Sequence, residues 1–133
     1  MVAWETVPDD ESVPAVERDF GRLWRGADKI VYSRTLPSVS SERTTLERAL
    51  DVDAVRRLKD ASDRDLLIGG PALAGAALHA GLVDECRLFV SPVLVGGGTA
   101  AWPDGLRSRL KLRDVRRFGN GVVHLRHDVL DAV

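Results

Sequence analysis

Two short segments contain the residue types that hold phosphate groups. In the run Asp65 to Leu78, DLLIGGPALAGAAL, the adjacent glycines Gly69 and Gly70 stand directly before a stretch of helical composition. Glycine lets the backbone approach a ligand closely, and a helix start offers unpaired N–H groups and the positive end of the helix dipole. A pyrophosphate fits such a turn. A tight strand-to-helix turn is the simpler explanation of a lone double glycine, and the spacing is not the dinucleotide fingerprint of the doubly wound fold.

The second segment is Ser33-Arg34-Thr35, which follows the short β-rich run KIVYS. A guanidinium pairs with phosphate through parallel charge-assisted hydrogen bonds, and hydroxyls add shorter ones, so the tripeptide suits a 2′-phosphate. Solvated turn residues explain the tripeptide alone equally well. Open α/β sheets bind ligands at the carboxyl ends of their strands, so two such turns after consecutive predicted strands together favour a phosphate-bearing ligand.

Hydrophobic periodicity and turn residues predict alternating helices and strands, and hence an α/β sheet with an antiparallel edge. The stretch from Thr45 to Leu50 is too short and mixed to assign. The first predicted helix runs from Ser12 to Arg25, with Ser12 as N-cap and Pro14 in its first turn, and a strand from Lys29 to Ser33 follows it. The next elements are a helix that is capped by Asp51 or Asp53 and ends near Ala61, a strand from Asp65 to Ile68, and a helix from Pro71 to about His79. The last elements are a strand within Cys86 to Val95, interrupted at Ser91-Pro92, and a hairpin in which Gly119-Asn120-Gly121 joins Val115–Phe118 to Val122–Val129.

Composition limits the possible partners. The chain has 133 residues, 44% of them apolar and 29% charged, which suits one domain over residues 1–133. A net charge of −1 without a basic block predicts neither nucleic-acid nor membrane binding, and the absence of a signal-like start favours the cytoplasm. The lone Cys86 is expected to pack as a small buried side chain. His124 and His127 stand three apart on a predicted strand and face opposite ways, so we expect no metal site.

The ordered set of motifs resembles a known family. The runs FGRLWRGADKIVYSRTL, LLIGGPALAGAALHAGLVDECRLFVSPVLVGGGTAAW and FGNGVVHLRH are similar to the bacterial deaminase-reductase group, the C-terminal reductase domain of riboflavin biosynthesis, and cover nearly the whole chain. The resemblance implies a dihydrofolate-reductase-like three-layer α/β sandwich, mostly parallel with a C-terminal antiparallel hairpin. It also implies hydride transfer from NADPH to a small pyrimidine or pteridine-like ring, as in 5-amino-6-(5-phosphoribosylamino)uracil reductase, and pairing as a homodimer.

The same resemblance implies positions for the cofactor but no catalytic residue. The pyrophosphate would lie at the glycine turn, and the adenosine phosphate side would lie at the earlier loop. The implied cofactor-binding residues are Gly69, Gly70, Pro71, Ala72 and Leu73 at the turn and Ser33, Arg34 and Thr35 at the loop.

The beginning of the chain departs from the family pattern. Members open with a strand, a loop and helix, and a second strand leading to a Gly-Arg-x-x-Tyr-Glu-like motif, whereas Val2-Ala3-Trp4-Glu5 is similar to the tail of the following helix. We therefore expect an N-terminally incomplete sheet, in a chain that is either a shortened reading of a longer gene or a remnant completed by another copy, because unpaired strand edges are costly. A non-catalytic dinucleotide-binding module and a structural dimerisation domain remain alternative functions.

Overall fold

The computed structural model describes the backbone of residues 2–132 and the side chains of residues 3–130. The chain divides into two compact units, Met1–Leu50 and Asp51–Val133. The longest helix has 12 residues, whereas about 20 are needed to cross a bilayer, so no helix within residues 2–132 could span a membrane.

The first unit begins with a 3-10 turn, Val2–Glu5, that packs on helix α1, Ala15–Gly26. The Trp4 and Phe20 rings meet edge to face at 4.6 Å, and the Trp24 indole N–H donates to Glu5 Oε1 at 2.9 Å. These contacts fix the start of the unit against one side of the helix.

The helix predicted from Ser12 to Arg25 is confirmed, but Ser12 is not its N-cap. Pro14 occupies that position, with φ −56°, and no side chain caps the helix. The Ser12 N–H instead donates to the Asp10 carboxylate at 2.8 Å, which holds Ser12 in the preceding turn. The capping prediction was wrong because this local turn competes for Ser12.

Two parallel strands complete the first unit. Strand β1, Lys29–Tyr32, confirms the prediction for KIVYS, and β2, Thr44–Glu47, occupies part of the stretch without an assignment. The register runs from Lys29 opposite Thr44 to Tyr32 opposite Glu47. Because the strands are parallel, their carboxyl ends lie side by side, and the residues that follow them, Ser33 and Arg48, lie at the same end of the pair.

The second unit contains helices α2, Val52–Ala61, and α3, Pro71–His79, both as predicted. Asp51 caps α2 by accepting hydrogen bonds from the N–H groups of Asp53 and Ala54, each at 3.0 Å. Small residues let other chain segments approach α3: a Cβ at the buried Gly75 would lie 3.0 Å from Pro103.

The segment from Asp65 to Ile68, predicted as a strand, has no regular structure, so that prediction was wrong. A strand needs hydrogen bonds from a neighbour, and no ladder within the described residues includes this segment. Its side chains stay open to solvent as well: Leu66 is 45% exposed, Leu67 97% and Ile68 37%.

An antiparallel sheet forms the rest of the second unit. Its strands are β3, Glu85–Val90, β4, Ser108–Arg117, and β5, Val123–Ala132, in the order β3-β5-β4. The strand predicted within Cys86 to Val95 is confirmed only up to Val90: β3 ends before Ser91-Pro92 and no strand resumes in residues 92–95, so that part of the prediction was wrong. The hairpin turns at Gly119-Asn120-Gly121 as predicted, although its strands are longer than predicted. Helices, a parallel pair and this antiparallel sheet together confirm the α/β class.

One face of this sheet carries linked ion pairs. Glu85 accepts hydrogen bonds from Arg126 and Arg87, and Asp128 accepts one from Arg113. The hydrogen bonds from Arg126 and then from Arg87 lower the pKa of the Glu85 carboxyl below its usual value of 4.5. The Glu85 carboxyl therefore stays ionised, and paired with the two arginines, to a lower pH than a free glutamate does.

Replacing Asp51 by alanine should destabilise the second unit by about 1 kcal/mol, because two N–H groups at the start of α2 lose their acceptor. Urea unfolding monitored by circular dichroism measures the change. Asp51→Asn, which keeps an acceptor oxygen at the cap, should remain within a few tenths of a kcal/mol of the parent. Equal losses in both variants would remove the capping role.

Stability should fall as the pH drops below about 4.5, through the lowered folded-state pKa of Glu85, because protonation breaks its pairs with two arginines. Above that pH the stabilisation is fully present. Glu85→Gln should lose stability at pH 7 and show a shallower decline on acidification, measured by urea midpoints between pH 7 and pH 3. A decline as steep as that of the parent would contradict this assignment.

Candidate functional site

The turn before α3 has a backbone conformation that suits the glycine and the proline that form it. Gly70 is the N-cap, with φ 89° and ψ 123°, which side-chain-bearing L-residues rarely adopt. Pro71 follows at the first helical position, where its fixed φ suits the helix and its missing N–H leaves no donor unsatisfied. No side chain caps the helix. The sequence Gly-Gly-Pro thus builds a helix start whose amides are not covered by the chain's own side chains.

Two backbone donors at this start are free. The first hydrogen bond into the helix runs from the Ala74 N–H to the Gly70 carbonyl, at 2.9 Å, and the N–H groups of Ala72 and Leu73 have no acceptor within residues 2–132. A Cβ built at Gly69 or Gly70 would meet no atom within 4 Å, so the space beside the turn is open. Free N–H groups at the positive end of a helix dipole can bind the oxygens of a phosphate.

The loop after β1 presents a second set of groups. The Ser33 N–H donates to the Glu47 carbonyl at 2.9 Å, and Ser33 Oγ accepts from the Leu36 N–H at 3.1 Å. Arg34 and Thr35 are exposed, and neither makes a hydrogen bond or ion pair with the part of the chain that the structure describes. The Arg34 guanidinium is therefore available to an anionic ligand.

Arg48, which sequence reasoning missed, braces this loop. Its guanidinium donates to the carbonyl oxygens of Ser33, at 3.2 Å, and of Leu36. Arg48 directly follows β2, and Ser33 directly follows β1, so both lie at the carboxyl end of the parallel pair. The signal that could have identified Arg48 is its position directly after a parallel strand. It was missed because no strand was predicted at the residues of β2.

The predicted binding residues form two groups, each assembled within its own unit. Gly69 to Leu73 make one continuous turn and helix start in the unit Asp51–Val133. Ser33 to Thr35 make one loop in the unit Met1–Leu50.

A groove of about 940 Å³ lies in the second unit beside the irregular segment that leads into Gly69. Its apolar walls and charged rim suit a flat ring with polar edges. Gly69, Gly70 and Pro71 do not line it. Its walls include Leu66, Ile68, Ala77, Leu78, Leu82, Leu88 and Trp102, and its charged lining includes Lys59, Arg64, Asp84, Glu85 and Arg126.

The thiol and the sheet histidines have packing environments. Cys86 is half-buried, and burial, followed by the nearby Glu85 carboxylate, raises the pKa of its thiol, as expected for a packing residue. On β5, His124 lies opposite Phe89 and His127 opposite Cys86. The two histidines point to opposite faces of the sheet, which confirms that they cannot hold one ion together.

A comparison with protein families decides which group the chain is related to. The RibD C-terminal domain family matches residues 22–124 of the chain. The chain belongs to the RibD C-terminal domain family. The matched residues include both predicted phosphate-binding turns.

Related sequences agree with this assignment. The chain is 31% identical to the protein YyaP of Bacillus subtilis over 121 residues, which is 90% of this chain and 63% of YyaP. It is 43% identical to the riboflavin biosynthesis protein RibD of Mycobacterium tuberculosis over 53 residues, or 40% of this chain and 15% of that protein. The chain thus spans less than two thirds of the length of these relatives.

Solved structures share the fold. A riboflavin biosynthesis protein from Shewanella sp. PV-4 superposes with a TM-score of 0.67 at 17% identity, covering 97% of this chain and 88% of the other. A pyrimidine reductase-like protein from Corynebacterium diphtheriae gives a TM-score of 0.54 at 17% identity, covering 90% and 47%. These matches and the family assignment confirm the predicted dihydrofolate-reductase-like α/β fold. The described ladders are one parallel pair and one three-stranded antiparallel sheet, so the prediction of a mostly parallel sheet was wrong for the described residues.

Gly70→Ala should destabilise the second unit by about 1–3 kcal/mol, because alanine is strained at a φ of 89°. Gly69→Ala is the matched control: a methyl group meets equally open space there, without a left-handed backbone. Thermal and urea unfolding of both variants checks the difference. If Gly69→Ala costs as much as Gly70→Ala, the strain at Gly70 is not what shapes the turn.

Proposed function

We propose that this chain binds NADPH and transfers a hydride to a pyrimidine or pteridine-like ring, in the manner of 5-amino-6-(5-phosphoribosylamino)uracil reductase. The observation that carries the proposal is the pair of free amides at Ala72 and Leu73, behind an open glycine turn, in a chain of a reductase-like family. Action in the cytoplasm, as the sequence predicts, is part of this proposal.

The glycine turn would hold the pyrophosphate. A helix N-terminus carries roughly half a positive charge, and the Ala72 and Leu73 N–H groups add directional bonds to phosphate oxygens. Because neither Gly69 nor Gly70 has a side chain, the two phosphates can approach the backbone closely. This binding mode relies on the main chain and needs no cationic side chain at the turn.

Arg34 would select the phosphorylated form of the cofactor. Its guanidinium can form two parallel bonds to a 2′-phosphate, and the exposed hydroxyl of Thr35 can add a third. Arg48 would act indirectly, since its bonds to the carbonyls of Ser33 and Leu36 hold the loop that carries Arg34. The dinucleotide supplies the hydride, and these residues bind and orient it.

The groove beside Leu66 to Ile68 would take the substrate ring. Its volume of about 940 Å³ exceeds the size of one heteroaromatic ring, and its rim offers charged groups to the polar edges.

A second candidate function is a dinucleotide-binding module without turnover. None of the eight predicted binding residues, which are Ser33, Arg34, Thr35 and Gly69 to Leu73, carries an acid that could donate a proton to a reduced ring. The predicted binding residues therefore account for binding and name no proton donor.

Replacing Arg34 by alanine should weaken NADPH binding at least tenfold and leave NADH binding unchanged, because a charged hydrogen-bonding partner of the 2′-phosphate is lost. Fluorescence titration with both nucleotides measures the two dissociation constants. Arg57→Ala, which removes an exposed arginine of α2, is the control and should bind both as the parent does. Equal losses for NADPH and NADH would exclude the assignment of Arg34 to the 2′-phosphate.

Turnover then separates the two candidate functions. Oxidation of NADPH, followed by its absorbance, in the presence of a pyrimidine or pteridine substrate supports the reductase. Binding without oxidation supports the module, and failure to bind NADPH contradicts both.

A further inference from the structure

The outer strand β4 has a long open edge. In the order β3-β5-β4 its inner edge pairs with β5, and no ladder within residues 2–132 runs along its other edge. Alternate N–H and C=O groups of such a strand point away from the sheet. The strand, Ser108–Arg117, has 10 residues, about 33 Å of extended chain, and all residues from 109 to 117 are exposed. The edge therefore has room for one more strand.

The side chains along this edge leave an excess of positive charge. From residue 107 to residue 117, five cationic side chains make no hydrogen bond or ion pair within the side chains that the structure describes, against one such acid, Asp114. The five cations are Arg107, Arg109, Lys111, Arg116 and Arg117.

The acids of the neighbouring strands are already bound to other arginines. The carboxylate of Asp128 on β5 pairs with Arg113 at 2.5 Å, and that of Glu85 on β3 pairs with Arg126 and Arg87, each also at 2.5 Å. These carboxylates are therefore not available to neutralise the five cations, which remain open to an acidic partner.

The other edge of the sheet differs in charge. Strand β3, Glu85–Val90, carries one acid and one arginine, Glu85 and Arg87, and these two pair with each other. The chain as a whole has a net charge of −1, so it has no general attraction for anions. The attraction is confined to the β4 edge.

An acidic peptide suits this edge better than a second copy or a nucleic acid does. Two β4 edges paired with each other would bring like charges together, which is destabilising. A nucleic acid supplies negative charge but no row of amide groups to match the N–H and C=O groups of the strand. An extended peptide supplies both, because strand addition combines main-chain hydrogen bonds with side-chain contacts.

We propose that the edge of β4 binds an extended acidic segment of a partner protein, which adds a fourth strand to the antiparallel sheet. Lys111 and Arg116 lie opposite Asp128 and His124 in the register, so both point to the face that carries the ion pairs. Acids at alternate positions of the added strand lie on that face and pair with them. The binding uses neither the glycine turn nor the loop that carries Arg34, so it is independent of the proposed function.

The test is a titration of the full chain, without nucleotide, with a fluorescein-labelled eight-residue peptide, Glu-Thr-Glu-Val-Glu-Thr-Glu-Val. Its fluorescence anisotropy should rise to saturation, and hydrogen exchange should slow at alternate amides of β4 and stay unchanged on β3. The matched control is the same peptide N-methylated at its two central residues, one of which must face β4. It keeps every charge, loses strand hydrogen bonds, and should bind at least about tenfold more weakly.

Two substitutions change the charge of the edge in opposite directions. Lys111→Glu should weaken peptide binding at least about fivefold, and Asp114→Asn, which removes the one unpaired acid, should tighten it about twofold. A misfolded variant could not produce this gain. Arg57→Glu, a charge reversal at an exposed position of α2, is the control and should bind as the parent does.

Four results would overturn the proposal. The first is no saturable binding, and the second is protection on β3 in place of β4. The third is unchanged affinity in both Lys111→Glu and Asp114→Asn. The fourth is equal affinity for the N-methylated peptide or for a single-stranded oligonucleotide of the same charge, because the edge would then bind anions by charge alone. Protection of β4 that rises with the concentration of the free chain would assign the edge to a second copy and contradict the proposal as well.

Discussion

The start of α3 depends on two backbone constraints that reinforce each other. Gly70 adopts a φ of 89°, and Pro71 opens the helix without an N–H, so the next two amides have neither a side-chain cap nor a backbone acceptor. Unpaired amides at a helix start carry partial positive charge, and open space at the glycines leaves them accessible. The phosphate binding that we propose for this turn therefore depends on the main chain, with Gly70 and Pro71 in their places, and not on a charged side chain at the turn.

Local signals explain what could be predicted of the fold. Asp51 caps α2 and Pro71 opens α3 through interactions within a few residues, and the hairpin depends on Gly119 to Gly121, so each could be recognised from a short stretch of sequence. The segment from Asp65 to Ile68 has an equally clear apolar pattern, yet it forms no ladder. A strand depends on a neighbour that is remote in sequence, and composition cannot show whether that neighbour is present.

The residues of the candidate site also differ in whether a short stretch of sequence is enough to recognise them. Gly69, Gly70 and Arg34 were recognisable because the residue types themselves suit phosphate. Arg48 was not, because its role as a brace depends on the parallel pairing of β1 with β2, which brings its guanidinium to the carbonyls of the loop. Contacts between remote segments were therefore the part that the sequence left open.

The most direct test of the account is to observe the amides themselves. In a ¹H–¹⁵N correlation spectrum of the full chain titrated with NADPH, the account predicts that the largest shifts fall on Ala72 and Leu73, with Gly69 and Gly70 beside them, because their N–H groups acquire phosphate acceptors. Saturable shifts in other parts of the chain, with the signals of these four amides unchanged, would contradict the assignment of the pyrophosphate to this turn.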